Sequence, residues 1–315
     1  MIQGPIKANT SPENQIGSFV QLITITGITF GLVIVFSFIA AGIILAIFGF
    51  KTLSDTFSFN TQNPHITTAL WLLQIVSTTL PLFIAPVLFA RYIINQPAEY
   101  LKTSFKFSPI LLIVIFTVML CSMPIMEVLG NINQKLVLPH FLQGLEDWMR
   151  RAELSAQKAT EALLNLKTIG NMLWAVFVVG LLTAIAEEFL FRGVIQTIFV
   201  RWTDNKHAAI WITAILFSAF HMEFFSFLPR VFLGALFGYF VAYSGSIWPA
   251  VWGHFLNNSS AVVITYLYQH KTIKLNPDDQ HVFNYPQYAF CLIIVLFLLY
   301  IYKSLASGKK HLFSY

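Results

Sequence analysis

Glu187, Glu188 and Arg192 lie in AIAEEFLFRG (184–193), one of the most apolar stretches of the chain. Further polar groups follow in apolar surroundings: His221 ends AILFSAFH, and His254 and Asn258 lie in WGHFLNN. An ionisable side chain near a bilayer centre costs roughly 2.5 to 3.5 kcal/mol even on a lenient insertion scale, so such groups must be paired, face a wet cavity, or both. On a helix Glu188 and Arg192 are four apart and share a face, with the acid on the favourable N-terminal side. Glu187 points about 100° away and is left over. His254 and Asn258 are also four apart, so both can aim from one helix at a common centre. A carboxylate beside an imidazole can take a proton from water and deliver hydroxide to a carbonyl, while a histidine and an asparagine amide donate hydrogen bonds to the oxyanion. Glu187, His221 and His254 could equally hold Zn²⁺ with an open fourth position, lowering the pKa of bound water to about 7. Blander roles exist for each group. Glu188 with Arg192 can be a neutral ion pair that only fixes packing, Asn258 an interhelical hydrogen bond, and a lone His221 a core residue.

Helices must carry these groups. The 315 residues are 57% hydrophobic and only 10% charged, against about one quarter charged in soluble domains, and mean hydropathy is +0.69. Apolar runs near the length that crosses about 30 Å of hydrocarbon recur throughout. The expected fold is therefore all-α, a polytopic helical membrane protein with an intramembrane catalytic cavity and eight spans: 20–48, 67–93, 108–129, 170–199, 206–222, 227–244, 247–267 and 286–304. The first span lacks a basic leader, having only Lys7 before it, and is read as retained. At 1.5 Å per residue Glu187, His221 and Asn258 fall at compatible depths, whereas His254 is shallower and requires tilted helices or a cavity open to one side.

Lysine and arginine in short loops set orientation. Arg91, Lys102, Lys106, Arg201, Lys206, Lys303, Lys309 and Lys310 fall on one side, read as the cytoplasm, with both termini inside. The net charge of +5 is scattered over loops and tail rather than gathered on one face, which argues against a nucleic-acid partner. Residues 132–167 mix charge with Leu, Phe and Trp at helical spacing; they are expected to form a helical hairpin on the outer surface, with a substrate-gating lid as the sharper reading. Cys121 and Cys291 lack metal or redox spacing and read as packing residues.

The three clusters together resemble the CPBP family, the CAAX prenyl proteases and bacteriocin-processing Abi proteins, whose signatures are E-E-x-x-x-R, F-x-x-x-H and H-x-x-x-N or D on separate membrane helices. The chain supplies EEFLFR (Glu187, Glu188, Arg192), FSAFH (Phe217, His221) and HFLNN (His254, Asn258), in order. GALFGYFVAYSGSIWPAVWGHFLNN also looks like the family's approach to its third motif. The resemblance covers about 170–266, expected to be a catalytic core between N-terminal membrane helices with the amphipathic segment (1–169) and a last loop, helix and basic tail (267–315), all in one membrane domain. It implies an intramembrane endopeptidase in which Glu187 and His221 activate water, His254 and Asn258 stabilise the oxyanion, and Glu188 with Arg192 supports the site. The implied partners are a membrane-associated peptide or protein and the lipid bilayer. A bound metal such as Zn²⁺ on Glu187, His221 and His254 stays open, with the metal-free mechanism favoured. The alternative is a non-proteolytic immunity or sequestering partner with the same fold. A proton-relay transporter would call for repeat symmetry, which the sequence lacks. No H-E-x-x-H, G-x-S-G or G-x-G-D is present for the other intramembrane protease classes. The expected location is a bacterial inner membrane.

Overall fold

The computed structural model describes residues 16–60, 62–136, 138–274 and 282–307; Lys7, Lys309 and Lys310 lie outside them. The described residues form helices joined by short loops, with no strand among them. In chain order the principal helices are α1 (Ser18–Ser58), α2 (Ile66–Ile94), α3 (Ile110–Gln134), α4 (Gln143–Leu163), α5 (Ile169–Thr203), α6 (Lys206–Phe220), α7 (Phe227–Ser244), α8 (Trp248–Gln269) and α9 (Tyr285–Ala306). This is an integral membrane protein. The expected count of eight spans is not established, because among the described residues six helices are long and apolar enough to cross a bilayer. Lys206–Phe220 is apolar but has only 15 residues, and α8 carries His254, Asn257, Asn258, Ser259 and Ser260. The first span, expected to end at 48, kinks at Gly49, whose φ of 80° is a left-handed value open to glycine.

Two apolar clusters build the interior. One joins α1, α2, α5, α6 and α8 through Ile25, Leu82, Phe89, Phe191, Phe217 and Val251. The other joins α3, α7, α8 and α9 through Ile115, Val118, Phe237, Phe240, Ala250 and Tyr302, with the free Cys121 and Cys291 packed against it. In lipid, close packing and hydrogen bonds hold helices together rather than exclusion from water, and α6 and α7 pack by this rule. A Cβ on Gly234 would meet the Ala214 Cα at 3.0 Å, and one on Gly238 would meet the Gln196 Oε1 and the Ile210 Cγ2 at 2.8 Å. The pair is a G-x-x-x-G that opens α7 to both neighbours. Phe30, Phe38, Phe290 and Phe297 on α1 and α9 face outward, as lipid-facing helices require.

Residues 132–167 are not a hairpin. Asn133 still belongs to α3, a short turn spans His140–Leu142, and a single amphipathic helix, α4, follows. Its Ala162 packs with Ile66 and Leu70 of α2, while Trp148 meets Phe224 at 5.4 Å and the Arg150 guanidinium lies 4.6 Å from the Phe225 ring. The segment after α2 also departs from a plain surface loop. Lys102 adopts φ 57°, its carbonyl accepts the Ile247 N–H at 3.0 Å, and the Thr103 and Ser104 carbonyls accept from the Trp248 indole and the Ser246 hydroxyl at 2.8 and 2.6 Å. The start of α8 is thereby covered, and Ser246 and Ile247 are fully buried.

Candidate active site

The site lies at the seam of the two clusters. Glu187 and Glu188 end a regular α-helical turn of α5 (Thr183–Glu188) that is flanked by wider π-helical segments, Val176–Leu182 and Phe189–Ile195; such widenings often occur at functional sites. Glu188 and Arg192 are fully buried, and the Arg192 Nη1 donates to the Glu188 Oε1 at 2.9 Å. The Nη2 of Arg192 donates to the Gly234 carbonyl at 3.0 Å, and its guanidinium lies 4.5 Å from the Phe217 ring and 5.4 Å from the Phe237 ring. The pair fixes α5 against α7, but it is not closed on itself. His254 Nδ1 lies 2.9 Å from the same Glu188 Oε1.

His254 is held on every side. Its ring stacks on Phe237 at 5.0 Å with an interplanar angle of 16°, meets Phe217 edge-on at 5.8 Å, and is oriented by Glu188. A carboxylate can only accept, so Nδ1 carries the proton and Nε2 faces Glu187. His221 is oriented in the same way, with its Nδ1 2.8 Å from the Phe217 carbonyl, an obligate acceptor. Both Nε2 atoms lie 3.7 Å from the Glu187 Oε2. That is beyond direct hydrogen-bond length. Glu187 Oε2 is buried without a partner.

Five of the six expected site residues therefore form one connected constellation, Arg192–Glu188–His254–Glu187–His221. Asn258 is engaged elsewhere: its Nδ2 donates to the Val179 carbonyl on α5 at 3.1 Å, and its Oδ1 accepts from Asn257 at 3.2 Å. Gln196 escaped the motif reading. It is buried one turn beyond Arg192 and donates to the Gly238 carbonyl at 3.2 Å, repeating the bond from Arg192 to Gly234. The spacing Glu188, Arg192, Gln196 against Gly234, Gly238 was the available signal. A carboxylate and two imidazoles are suitable donors for zinc. Among the described residues, however, no group of three or more His, Cys, Asp or Glu side chains is disposed to hold an ion.

Residues 169–260 match the family model described as type II CAAX prenyl endopeptidase Rce1-like. The match agrees with the family that the three motifs resemble, and the matched segment contains all six candidate residues. The Rce1-like match leaves α1 to α4 and α9 outside it. A curated relative, the uncharacterized protein YpbD of Bacillus subtilis (strain 168), is 27% identical over 106 residues, 32% of this chain and 50% of YpbD. The chain thus spans about half the length of that relative. No solved structure matches the chain.

Proposed function

We propose that this protein is an intramembrane endopeptidase that hydrolyses a peptide bond of a membrane-associated peptide or protein with water activated by Glu187 and His221, working in a bacterial inner membrane with both termini in the cytoplasm. The observation that carries the reading is the approach of both imidazole Nε2 atoms to the otherwise unpartnered Glu187 Oε2 at 3.7 Å inside an apolar interior. A water between them gives up a proton to the Glu187–His221 side, its oxygen adds to the scissile carbonyl, and the same proton passes to the leaving amine as the tetrahedral intermediate collapses. His221 is the most open member, 24% exposed against 4% for His254 and 8% for Glu187, so substrate enters on its side.

Charge balance assigns His254 its part. To donate from Nε2 while its Nδ1–H stays on Glu188, His254 must act as the imidazolium, which would offset the negative charge of the carboxylate pair left over by Arg192. In that form the Nε2–H donates to the oxyanion while Nδ1–H stays on Glu188, which supplies a preorganised charge where it develops. Asn258, whose amide is held on the Val179 carbonyl, serves the site by fixing α8 against α5. The sequestering-partner alternative expects a motif residue to have been lost, and none has.

The test is Glu187→Ala, purified beside wild type and assayed on peptides captured by the variant in host membranes. Turnover should fall on the order of 10² to 10⁴ with the folded yield unchanged. Cleavage at the wild-type rate would remove Glu187 from the chemistry. Elemental analysis of the active protein addresses the metal: one zinc per chain, with activity lost on chelation, would overturn the metal-free mechanism.

A further inference from the structure

At the end of the molecule remote from His221, a cavity of about 340 Å³ opens between the start of α3, the end of α7 and the end of α9, lined by Lys106, Ser108, Ser244, Leu305 and Ala306 among others. That is the volume of about ten waters, too large for a single structural water and suited to a polar head group. Tyr243, the neighbour of Ser244, draws two further cations to this corner: the ammonium groups of Lys206 and Lys303 lie 5.5 and 5.7 Å from its ring centroid. One lysine, Lys106, thus lines the cavity, while Lys206 and Lys303 meet at the ring next in sequence to its lining Ser244. None pairs with a carboxylate among the described residues. The ring itself offers only a weak attraction, about 0.5–1 kcal/mol at an exposed site, so the positive field at the mouth is left to meet an external anion.

Away from this mouth, α3 and α9 run side by side and turn apolar side chains outward, Ile110 and Ile113 on one and Phe297 and Tyr300 on the other. Cations and hydroxyls at the head, with an apolar two-helix surface beneath, match one amphiphile. We propose that this cavity binds the phosphate-bearing head group of an anionic phospholipid, with its acyl chains lying along α3 and α9. Basic clusters beside membrane helices attract anionic lipid by about fivefold in affinity for each lysine. The same cations would accept free phosphate, but the apolar flank serves only a lipid.

Full-length protein in neutral detergent would be titrated with phosphatidylglycerol, phosphatidylcholine or inorganic phosphate, with retained ligand read by native mass spectrometry and melting temperature as a second readout. Phosphatidylglycerol should be retained and raise the melting temperature, and the other two should not. Lys106→Gln, Lys206→Gln and Lys303→Gln combined should weaken phosphatidylglycerol binding about 100-fold, whereas Lys51→Gln with Lys135→Gln, away from the cavity, should leave it unchanged. Should the triple variant fold poorly, Lys106→Gln alone, at an exposed position, should weaken binding about fivefold. Equal retention of phosphatidylcholine, unchanged affinity in the cavity variants, or stabilisation by inorganic phosphate alone would each overturn the lipid site.

Discussion

Arg192 holds more of the site in place than its own ion pair indicates. It neutralises Glu188, donates to the Gly234 carbonyl and packs over Phe217, the residue whose carbonyl orients His221. Arg192→Ala would leave Glu188 as an unpaired carboxylate in the membrane, an effect of roughly 3–5 kcal/mol when a buried pair is broken from one side. Folded yield should drop. The double change Glu188→Gln with Arg192→Gln removes both charges, keeps an acceptor for His254 Nδ1, and should recover much of the yield but little activity. A double variant no better folded than Arg192→Ala would argue against the pairing. The pair was legible from sequence because helix geometry alone brings residues four apart together. The bond from Glu188 to His254 was not, since it spans 66 residues and depends on how α5 and α8 cross. Asn258 shows the same limit: its spacing from His254 placed it on the right face, while the crossing delivers its amide to Val179.

Between elements, glycine positions and one buried acid set the geometry. Gly234→Ala would place a methyl carbon 3.0 Å from the Ala214 backbone, forcing α6 from α7 and displacing the carbonyl that receives Arg192. Overpacking of this kind costs about 1–3 kcal/mol, so the melting temperature and activity should both fall, while Gly31→Ala, with nothing within 4 Å, should be neutral in the same assay. Beyond the end of α6, α4 clamps the loop that follows His221: the buried Glu153 accepts the Phe225 N–H at 3.1 Å. Burial raises its carboxyl above the usual 4.5, against the opposing effect of that hydrogen bond. An acid with a raised folded pKa binds more protons folded than unfolded across that window, so stability falls as pH rises through it and the cost is complete above it. Glu153→Gln keeps the acceptor and removes the charge. It should be at least as stable as wild type at pH 7, with the advantage shrinking as pH drops below the window. Glu153→Ala strips the N–H of its acceptor and should lose about 1–3 kcal/mol together with activity. A Gln variant less stable than wild type at pH 7 would refute a desolvation cost at Glu153. The amphipathic character of α4 was plain from residue spacing; its attachment to the loop at 221–226 was not, because it rests on one carboxylate reaching a backbone N–H 72 residues away.

Across the whole molecule, contacts between loops sort into two ends. Lys102 meets the Thr197 hydroxyl, Arg201 lies 5.0 Å from the Tyr100 ring, and Lys206 and Lys303 share Tyr243 at one end. At the other, Glu153 holds Phe225, Gln269 spans the Leu164 carbonyl and the Leu166 N–H, and Glu127 accepts from Val282, Phe283 and Tyr288. Basic-residue counting anticipates an alternation of this kind, because hydropathy and loop charge are local quantities. The number of spans was less legible. The 15 residues of α6 rise about 22 Å, short of about 30 Å of hydrocarbon, so a helix of this length that starts at one surface ends short of the other. Irregular backbone at that depth must be covered by protein, and α4 supplies the cover, as the 102–104 segment does for the start of α8. Orientation is then the quantity to measure. With Cys121 and Cys291 changed to Ala, single cysteines introduced by Lys158→Cys or Lys271→Cys should react with a membrane-impermeant maleimide on intact cells, and those from Lys106→Cys or Ser307→Cys only after lysis. All four positions are exposed, so a silent position reports the barrier rather than burial. The reverse pattern would invert the protein in the membrane and move the basic end, with its lysine-lined cavity, to the outer leaflet. Labelling of Lys158→Cys without Lys271→Cys would break the two-end arrangement itself, since α5 to α8 must return the chain to the side from which it left α4.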